Sequence, residues 1–346
     1  MQIKNKNIDS ASPVFVIAEA GINYNNKLSL AFKMVDIAKK AGADAIKFQT
    51  FKAKNIQLFN SKKPKYQNNL KEKNYFKIIK KLEPSFDDQK KIFNYCNKKK
   101  IIFLSTPYDE ESVDFLDSMN ISAFKISSSD LTNHPFLEYV ASKKKPIIIS
   151  TGLSTSNDVH NAVKLFVNKK LKNKIALLQA TSDYPTPNHD VNLRVISSYK
   201  NKYKIPVGLS DHTQNNIASL GAIALGASIL EKHFTLSRNM PGPDQKSSLE
   251  PDELFQWIKE IRIMEKSLGT TKKFITKSEE QNLTMRKVIV VKPIKKGQKI
   301  TKNLILSMRG NKHGILPTNN NIKKIVGKTI NKDVLKPIQF SWNLLC

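Results

Sequence analysis

Eight short apolar runs punctuate the first 235 residues, and each ends in a cluster of polar or charged side chains. Val14 to Ala18 leads into Glu19, Ala45-Ile46 into Lys47 and Gln49, Ile101 to Leu104 into Ser105-Thr106, and Ala123-Phe124 into Lys125 and Ser127 to Asp130. Ile147 to Ile149 leads into Ser150-Thr151, Ile175 to Leu178 into Gln179, Thr181 and Tyr184, Val207 to Leu209 into Ser210-Asp211-His212, and Ile229-Leu230 into Glu231-Lys232-His233. Runs of this length, rich in β-branched residues, read as strands buried on both faces, and the segments between them carry helical periodicity. Helices are expected at Leu28 to Ala41, Asp87 to Lys100, Glu110 to Met119, Pro135 to Ser142, Ser156 to Phe166, Gln214 to Leu225 and Asp252 to Leu268; Gly42, Gly226 and Gly269 serve as stops. A βα unit repeated eight times predicts an α/β fold, a (β/α)8 TIM barrel, with its chemistry on the strand ends at the C-terminal mouth. Strands that merely turn polar on meeting water would account for the serines and threonines. Three lysines, two histidines, a glutamate and aspartates converging on one rim read instead as an active site.

Past the barrel the pattern changes. Lys272 to Leu283 is polar and charged, and Val288 to Val291, Pro293, Lys296-Gly297, Lys299-Ile300, Ile305-Leu306 and Gly327 describe short strands and turns. The expected organisation is a barrel domain over 1–270, a linker over 271–284 and a small domain over 285–346. A piece of about 60 residues without disulfides buries only a modest core, so this one is expected to lean on another surface. Gln57 to Pro84 is longer than an ordinary βα loop and rich in Lys, Asn and Tyr; at a barrel mouth such a loop is a lid, a partner contact or an idle insertion.

Composition narrows the class. Met1 to Pro13 is polar and lacks the apolar segment of a signal peptide, and the longest apolar stretch, Gly221 to Leu230, falls far short of the roughly 20 residues that span a bilayer. Cys96 and Cys346 make no disulfide framework. The expectation is a cytoplasmic protein with no membrane partner. The net charge of +29 invites a nucleic-acid hypothesis, yet only five of the 58 basic residues are arginine. Base and phosphate readers lean on arginine, and no aromatic stacking pattern is interleaved here. The lysines lie scattered among Asn and Ile on helix faces and loops, as a coding sequence rich in A and T would produce. No nucleic-acid partner is expected, and the charge serves at most to draw anions toward the mouth.

At the rim, His212 and His233 are one strand apart. Two imidazoles so placed suit a divalent metal of the manganese, iron or zinc kind with open positions for substrate and water; the same spacing suits two histidines hydrogen-bonded to their neighbours. Lys47 and Lys125, with Ser105, Thr106, Ser127, Ser128, Ser150, Thr151 and Ser210, make a pocket for phosphate and carboxylate, while a Schiff base on either lysine is the other reading. Glu19 suits a proton shuttle or a ligand for a substrate hydroxyl, or a structural partner for a rim lysine. The prolines of Met240-Pro241-Gly242-Pro243-Asp244 stiffen the loop so that Asp244 is presented in a fixed place, as an acceptor for hydroxyls or as an ordinary turn aspartate, the commoner case.

Taken in order, Ala18-Glu19-Ala20-Gly21-Ile22-Asn23, Lys47-Phe48-Gln49-Thr50, Ser105-Thr106-Pro107, Phe124-Lys125-Ile126, Ser150-Thr151-Gly152, Tyr184-Pro185-Thr186-Pro187, Gly208-Leu209-Ser210-Asp211-His212-Thr213, Glu231-Lys232-His233-Phe234-Thr235-Leu236 and the Met240 to Asp244 loop resemble the bacterial sialic acid synthase (N-acetylneuraminate synthase) family. The end region, with Lys296-Gly297 and Arg309 to Pro317, resembles that family's antifreeze-like (SAF) domain. The resemblance implies condensation of phosphoenolpyruvate with the open-chain aldehyde of N-acetylmannosamine or a close N-acylated hexosamine, giving a nine-carbon 2-keto-3-deoxy acid and phosphate. It implies Mn2+ or Mg2+ on His212 and His233, phosphoenolpyruvate on Lys47, Thr106, Lys125, Ser128, Ser150 and Ser210, and the sugar on Glu19, Gln49, Tyr184 and Asp244. It further implies a domain-swapped homodimer in which Arg309 reaches the partner's sugar site. Tyr24 and Gln245 stand where the family commonly has His, Ser127-Ser128-Ser129-Asp130 replaces Gly-Ser-Gly-Glu, Ser182 replaces Asn or Thr, and Arg309-Gly310-Asn311 replaces Arg-Pro-Gly. These departures border the sugar pocket, so a legionaminic-type 2,4-diacetamido sugar is the runner-up substrate. Rivals of other kinds are a Schiff-base aldolase and a lysine-rich nucleic-acid-binding protein.

Overall fold

The computed structural model describes residues 1–61, 63, 72, 74–280 and 285–346, so the expected loop over Gln57 to Pro84 and the expected linker lie partly outside the described residues. Eight parallel strands close into a barrel: β1 (Phe15–Gly21), β2 (Ala45–Thr50), β3 (Ile102–Pro107), β4 (Phe124–Ile126), β5 (Ile147–Ser150), β6 (Ile175–Ala180), β7 (Val207–Asp211) and β8 (Ile229–His233), with β8 pairing both β7 and β1. The helices that cover it are α1 (Leu28–Ala41), the single turn α2 (Ala53–Ile56), α3 (Tyr75–Leu82), α4 (Phe86–Lys99), α5 (Glu110–Ser118), α6 (His134–Ser142), α7 (Ser156–Asn168), α8 (Arg194–Tyr203), α9 (Ile217–Ala224) and α10 (Pro251–Leu268).

The helix ends have local causes. α1 stops because Gly42 takes a left-handed conformation at φ 90° and its N–H bonds back to the last turn. α7 starts on a capping box between Thr155 and Asp158, and α10 on one between Glu250 and Glu253 with Pro251 in its first turn. α8 and α3 were not expected. α8 carries its buried residues Ile196, Tyr199 and Tyr203 at helical spacing among polar neighbours, and α3 lies within the stretch read as a loop.

Strand period two decides where the site sits. Every other residue of each strand points into the barrel, and these inward columns are apolar below and polar above. Phe15 and Ile17 precede Glu19, Ala45 precedes Lys47 and Gln49, Ile102 and Leu104 precede Thr106, Ala123 precedes Lys125, Ile148 precedes Ser150, and Ile229 precedes Glu231 and His233. The apolar members form one buried cluster, closed by Ile3 and Ile8 of the N-terminal hairpin. The outward residues, such as Val16, Ile46, Phe103, Phe124 and Leu230, pack against the helices in a second, larger cluster. Gly208 has no room for a side chain: a Cβ there would strike the Ile229 carbonyl oxygen of β8.

The chain divides into two compact units, Met1–Gly269 and Thr270–Cys346. The second holds the short helix α11 (Lys277–Glu280), the antiparallel strands β9 (Arg286–Val290), β10 (Ile305–Arg309) and β11 (Ile338–Gln339) in the order β10-β9-β11, and the helix α12 (Asn319–Ile325). Its small core gathers Val288, Val290, Ile300, Ile305, Ile325, Ile330, Phe340 and Leu344. Among the described residues no helix is long and apolar enough to cross a membrane.

Candidate active site

At the C-terminal mouth of the barrel lies a cavity of about 900 Å³, lined by the twelve barrel residues to which the family resemblance gives a role: Glu19, Lys47, Gln49, Thr106, Lys125, Ser128, Ser150, Tyr184, Ser210, His212, His233 and Asp244. That is near the upper end of the range for a small-molecule site, roughly 300–1,000 Å³. Arg309 belongs to the second unit, where it sits opposite Arg286 in the β9–β10 pair.

The floor is a buried charge lattice. Lys47 Nζ lies 2.9 Å from Glu19 Oε2 and donates to Thr106 Oγ1 at 3.0 Å. Lys125 Nζ donates to Ser150 Oγ at 2.6 Å. Between the two ammonium groups stands Glu231, its Oε1 at 3.8 Å from Lys47 and 3.6 Å from Lys125 while accepting from Ser210 Oγ at 3.1 Å. Ser128 Oγ accepts from the Gly152 N–H at 2.9 Å, which ties the loop after β4 to the end of β5.

These neighbours set the protonation states. Burial works against the Lys47 ammonium, but Glu19 and Glu231 outweigh it and raise its pKa. Burial wins at Lys125, which Glu231 supports but Lys47 opposes, and its pKa falls to about 8. Glu19 is pushed up to about 7 by burial against the pull of Lys47, whereas Glu231 is buried as deeply yet held below the ordinary carboxylate value by Lys125 and Lys47. Burial also lifts Asp244, and Asp130 on the β4 side, to about 6.

The two histidines meet across β7 and β8 with ring centroids 5.6 Å apart, and Tyr184 packs on His212 at 4.2 Å. Burial lowers the pKa of both; at His233 the neighbouring His212, Lys47 and Lys125 push the same way. His212 Nδ1 lies 2.7 Å from the Thr181 carbonyl oxygen, which can only accept, so Nδ1 carries the proton and Nε2 keeps its lone pair, 3.3 Å from Ser210 Oγ. His233 Nδ1 is buried with no hydrogen-bond partner. Two neutral imidazoles, one oriented by a backbone carbonyl and one with an orphaned nitrogen, fit a divalent metal. Among the described residues no group of three or more His, Cys, Asp or Glu is placed to hold one, so water and substrate would complete the coordination.

Three rim expectations need correction. Ser105 lies on the outward face of β3, hydrogen-bonded to Thr50 Oγ1 at 2.7 Å, and does not line the cavity. Lys232 does not join Lys47 and Lys125: as the middle residue of Glu231-Lys232-His233 it points outward, where it pairs with Asp211 at 2.9 Å. Thr151 likewise faces away, donating to the Leu178 carbonyl and meeting Tyr199 OH. Glu231 was quoted among the strand ends but given no role, although two-residue spacing from His233 already places both on one face. Also without a role in the sequence reading is an apolar wall, formed by Ile22, Phe51, Ile56, Tyr75, Ile79 and Tyr108.

Comparison with known proteins agrees with this geometry. The NeuB family matches over residues 34–273. The chain is 42% identical over 288 residues to the N,N'-diacetyllegionaminic acid synthase of Campylobacter jejuni, covering 82% of this chain and 86% of that one. It is 37% identical over 340 residues to the synthase of the same name from Legionella pneumophila, covering 96% and 95%. Among solved structures, the N-acetylneuraminic acid synthetase of Leptospira borgpetersenii superposes with a TM-score of 0.72 at 33% identity, covering 82% of this chain and 94% of that one. With the family matched across most of the barrel and relatives aligned over most of both lengths, the chain belongs to the NeuB family.

Proposed function

We propose that the enzyme condenses phosphoenolpyruvate with the open-chain aldehyde of an N-acylated amino sugar, releasing phosphate and a nine-carbon 2-keto-3-deoxy acid. The observation that carries this is the joining, in one cavity, of two buried ammonium groups ringed by hydroxyls to a pair of neutral histidines. Lys47, Thr106, Lys125, Ser128, Ser150 and Ser210 hold the phosphate and carboxylate of phosphoenolpyruvate; the arriving anions draw on Lys125 and raise its pKa. Carbon 3 of phosphoenolpyruvate forms the new bond to the aldehyde carbon, water adds at carbon 2, and the tetrahedral intermediate expels phosphate to leave the ketone. Glu19, poised near pH 7, carries a proton between these steps. Gln49, Tyr184 and Asp244 meet the sugar. His212 and His233 would hold a divalent metal, which would supply Lewis acidity toward the aldehyde oxygen.

The sugar is N-acetylmannosamine or a close N-acylated relative; the names of the Campylobacter and Legionella relatives favour the 2,4-diacetamido alternative. The second unit acts as the family's antifreeze-like (SAF) domain and delivers Arg309 to a partner chain in a swapped dimer. The test is phosphate release from phosphoenolpyruvate with manganese and a panel of N-acylated aldohexoses. At least one sugar is expected to support release that a chelator abolishes, and borohydride is expected to trap no adduct on Lys47 or Lys125. No release with any sugar refutes the reading.

A further inference from the structure

Glu19, His233 and Asp244 all line the cavity, but they are not held alike. Glu19 lies in β1 and His233 ends β8, and the Phe234 N–H beside His233 donates to the Glu19 carbonyl at 2.9 Å. Asp244 lies outside the strands, on the loop between β8 and α10. Behind the lining stands Asn23, four residues after Glu19 and 0% exposed. Its Nδ2 donates to the Phe234 carbonyl at 2.9 Å and to Ser248 Oγ at 3.0 Å, and Ser248 in turn donates to the Asp244 carbonyl at 2.7 Å. Chemistry sets the direction of this chain. Backbone carbonyls only accept, so Nδ2 faces Phe234 and the single hydroxyl proton of Ser248 goes to Asp244. Asn23 Oδ1 is left buried without a partner, a standing cost of the orientation that serves the other two residues.

Two further bonds clasp the same loop to the segment after β1. Asn25 Nδ2 donates to the Pro241 carbonyl at 2.8 Å, and Gln245 Nε2 donates to the Asn23 carbonyl at 3.3 Å. Gly242, at φ 147°, lies so close against the Gln245 amide that a Cβ there would strike it. We propose that Asn23 is a positioning residue: acting through Ser248, it fixes Asp244 in register with Glu19 and His233, so that the carboxylate on the loop meets the sugar where the strand-borne groups can act on it. This rests on the synthase reading, in which Asp244 meets the sugar. Neither Asn23 nor Ser248 lines the cavity, so both act at one remove.

The experiment measures steady-state phosphate release by the full-length enzyme, with phosphoenolpyruvate and the N-acylated aldohexose that best supports release each varied in turn. Ser248→Ala, and Asn23→Ser as a second variant, are made in the wild type and in an Asp244→Ala background, and folding is checked by circular dichroism. A binding group displaced by about 1 Å can cost up to about 100-fold, so Ser248→Ala is expected to lower kcat/KM for the sugar about 10-fold, chiefly through KM. The KM for phosphoenolpyruvate is expected to stay put. In the Asp244→Ala background the same change is expected to cost nothing further, because nothing is left to position; a merely structural role would cost as much in both backgrounds. Additive losses, an equal rise in both KM values, or folded Ser248→Ala and Asn23→Ser variants with wild-type kinetics overturn the proposal while the synthase reading stands. Wild-type sugar kinetics in Asp244→Ala overturn it as well. Absence of release with every sugar overturns both.

Discussion

The ion pair behind the histidines offers the sharpest test of how the rim is held. Lys232 is 2% exposed. Its ammonium lies 2.9 Å from Asp211 Oδ2 and donates to the carbonyls of Thr213 at 2.6 Å and Asn215 at 3.1 Å. Asp211 in turn accepts from the Thr213 N–H at 2.9 Å, the Thr213 hydroxyl at 2.8 Å and Ser219 Oγ at 2.6 Å, and Ser219 is anchored by Trp257 Nε1 at 2.9 Å. The pair thus links β7, β8, α9 and α10 directly beneath His212 and His233. Lys232→Met keeps the aliphatic stem and removes the charge, leaving Asp211 buried without a cation and the Thr213 carbonyl without its lysine donor, while the Asn215 carbonyl keeps the Thr213 hydroxyl at 3.0 Å. Breaking a buried pair from one side costs about 3–5 kcal/mol; the three donors that remain on Asp211 place this case near 3 kcal/mol. For a barrel of this size that is a fall in Tm of roughly 6–12 °C, read by circular dichroism. Adding Asp211→Asn removes the stranded charge, so the double variant is expected to be more stable than the sum of the single losses, with a coupling energy of about 1–3 kcal/mol. A Tm within about 2 °C of wild type for Lys232→Met, or strict additivity in the cycle, would falsify the account.

Two further outcomes follow from the site and the strands that bear it. Lys125 has its pKa lowered to about 8 from 10.5 by burial, so in the free enzyme the ammonium that meets phosphoenolpyruvate is lost above that pH. kcat/KM for phosphoenolpyruvate is expected to fall as pH rises through about 8, with the limb moved upward in kcat, where bound anions favour the charged form. The unfolded chain keeps this proton longer, so Lys125's own contribution to stability rises between pH 8 and 10.5 while activity falls; a flat kcat/KM profile to pH 9.5 would contradict this. Gly208→Ala forces a Cβ into the Ile229 carbonyl and the Leu178 side chain, and strands β7 and β8 must part. A loss of about 3 kcal/mol is expected from such overpacking, seen as a lower urea midpoint, and an unchanged midpoint would mean that the strands separate without cost.

The barrel was legible because each strand states its own burial. An apolar run ending in polar residues is a local signal, and eight in succession leave few other closures. The site residues came with it, since a side chain at a strand's C-terminal end has only the mouth to occupy. Legibility failed where the deciding fact was direction or distance. Glu231-Lys232-His233 reads as three adjacent rim residues, yet a strand sends its middle residue to the other face, and Lys232 went to the helices while Glu231 stood between the two lysines. Alternation was available in the sequence to make that division. The apolar wall was not available in the same way: Ile22, Phe51, Ile56 and Ile79 come from four separate segments, and each alone is an ordinary buried or half-buried hydrophobe. Only closure of the barrel and the packing of α2 and α3 over its first two strands turn them into one surface. The chemistry at the floor is carried by residue types, which sequence displays, whereas the wall is a shape, which belongs to the assembled fold. That is why the motifs identify the family long before they identify the substrate.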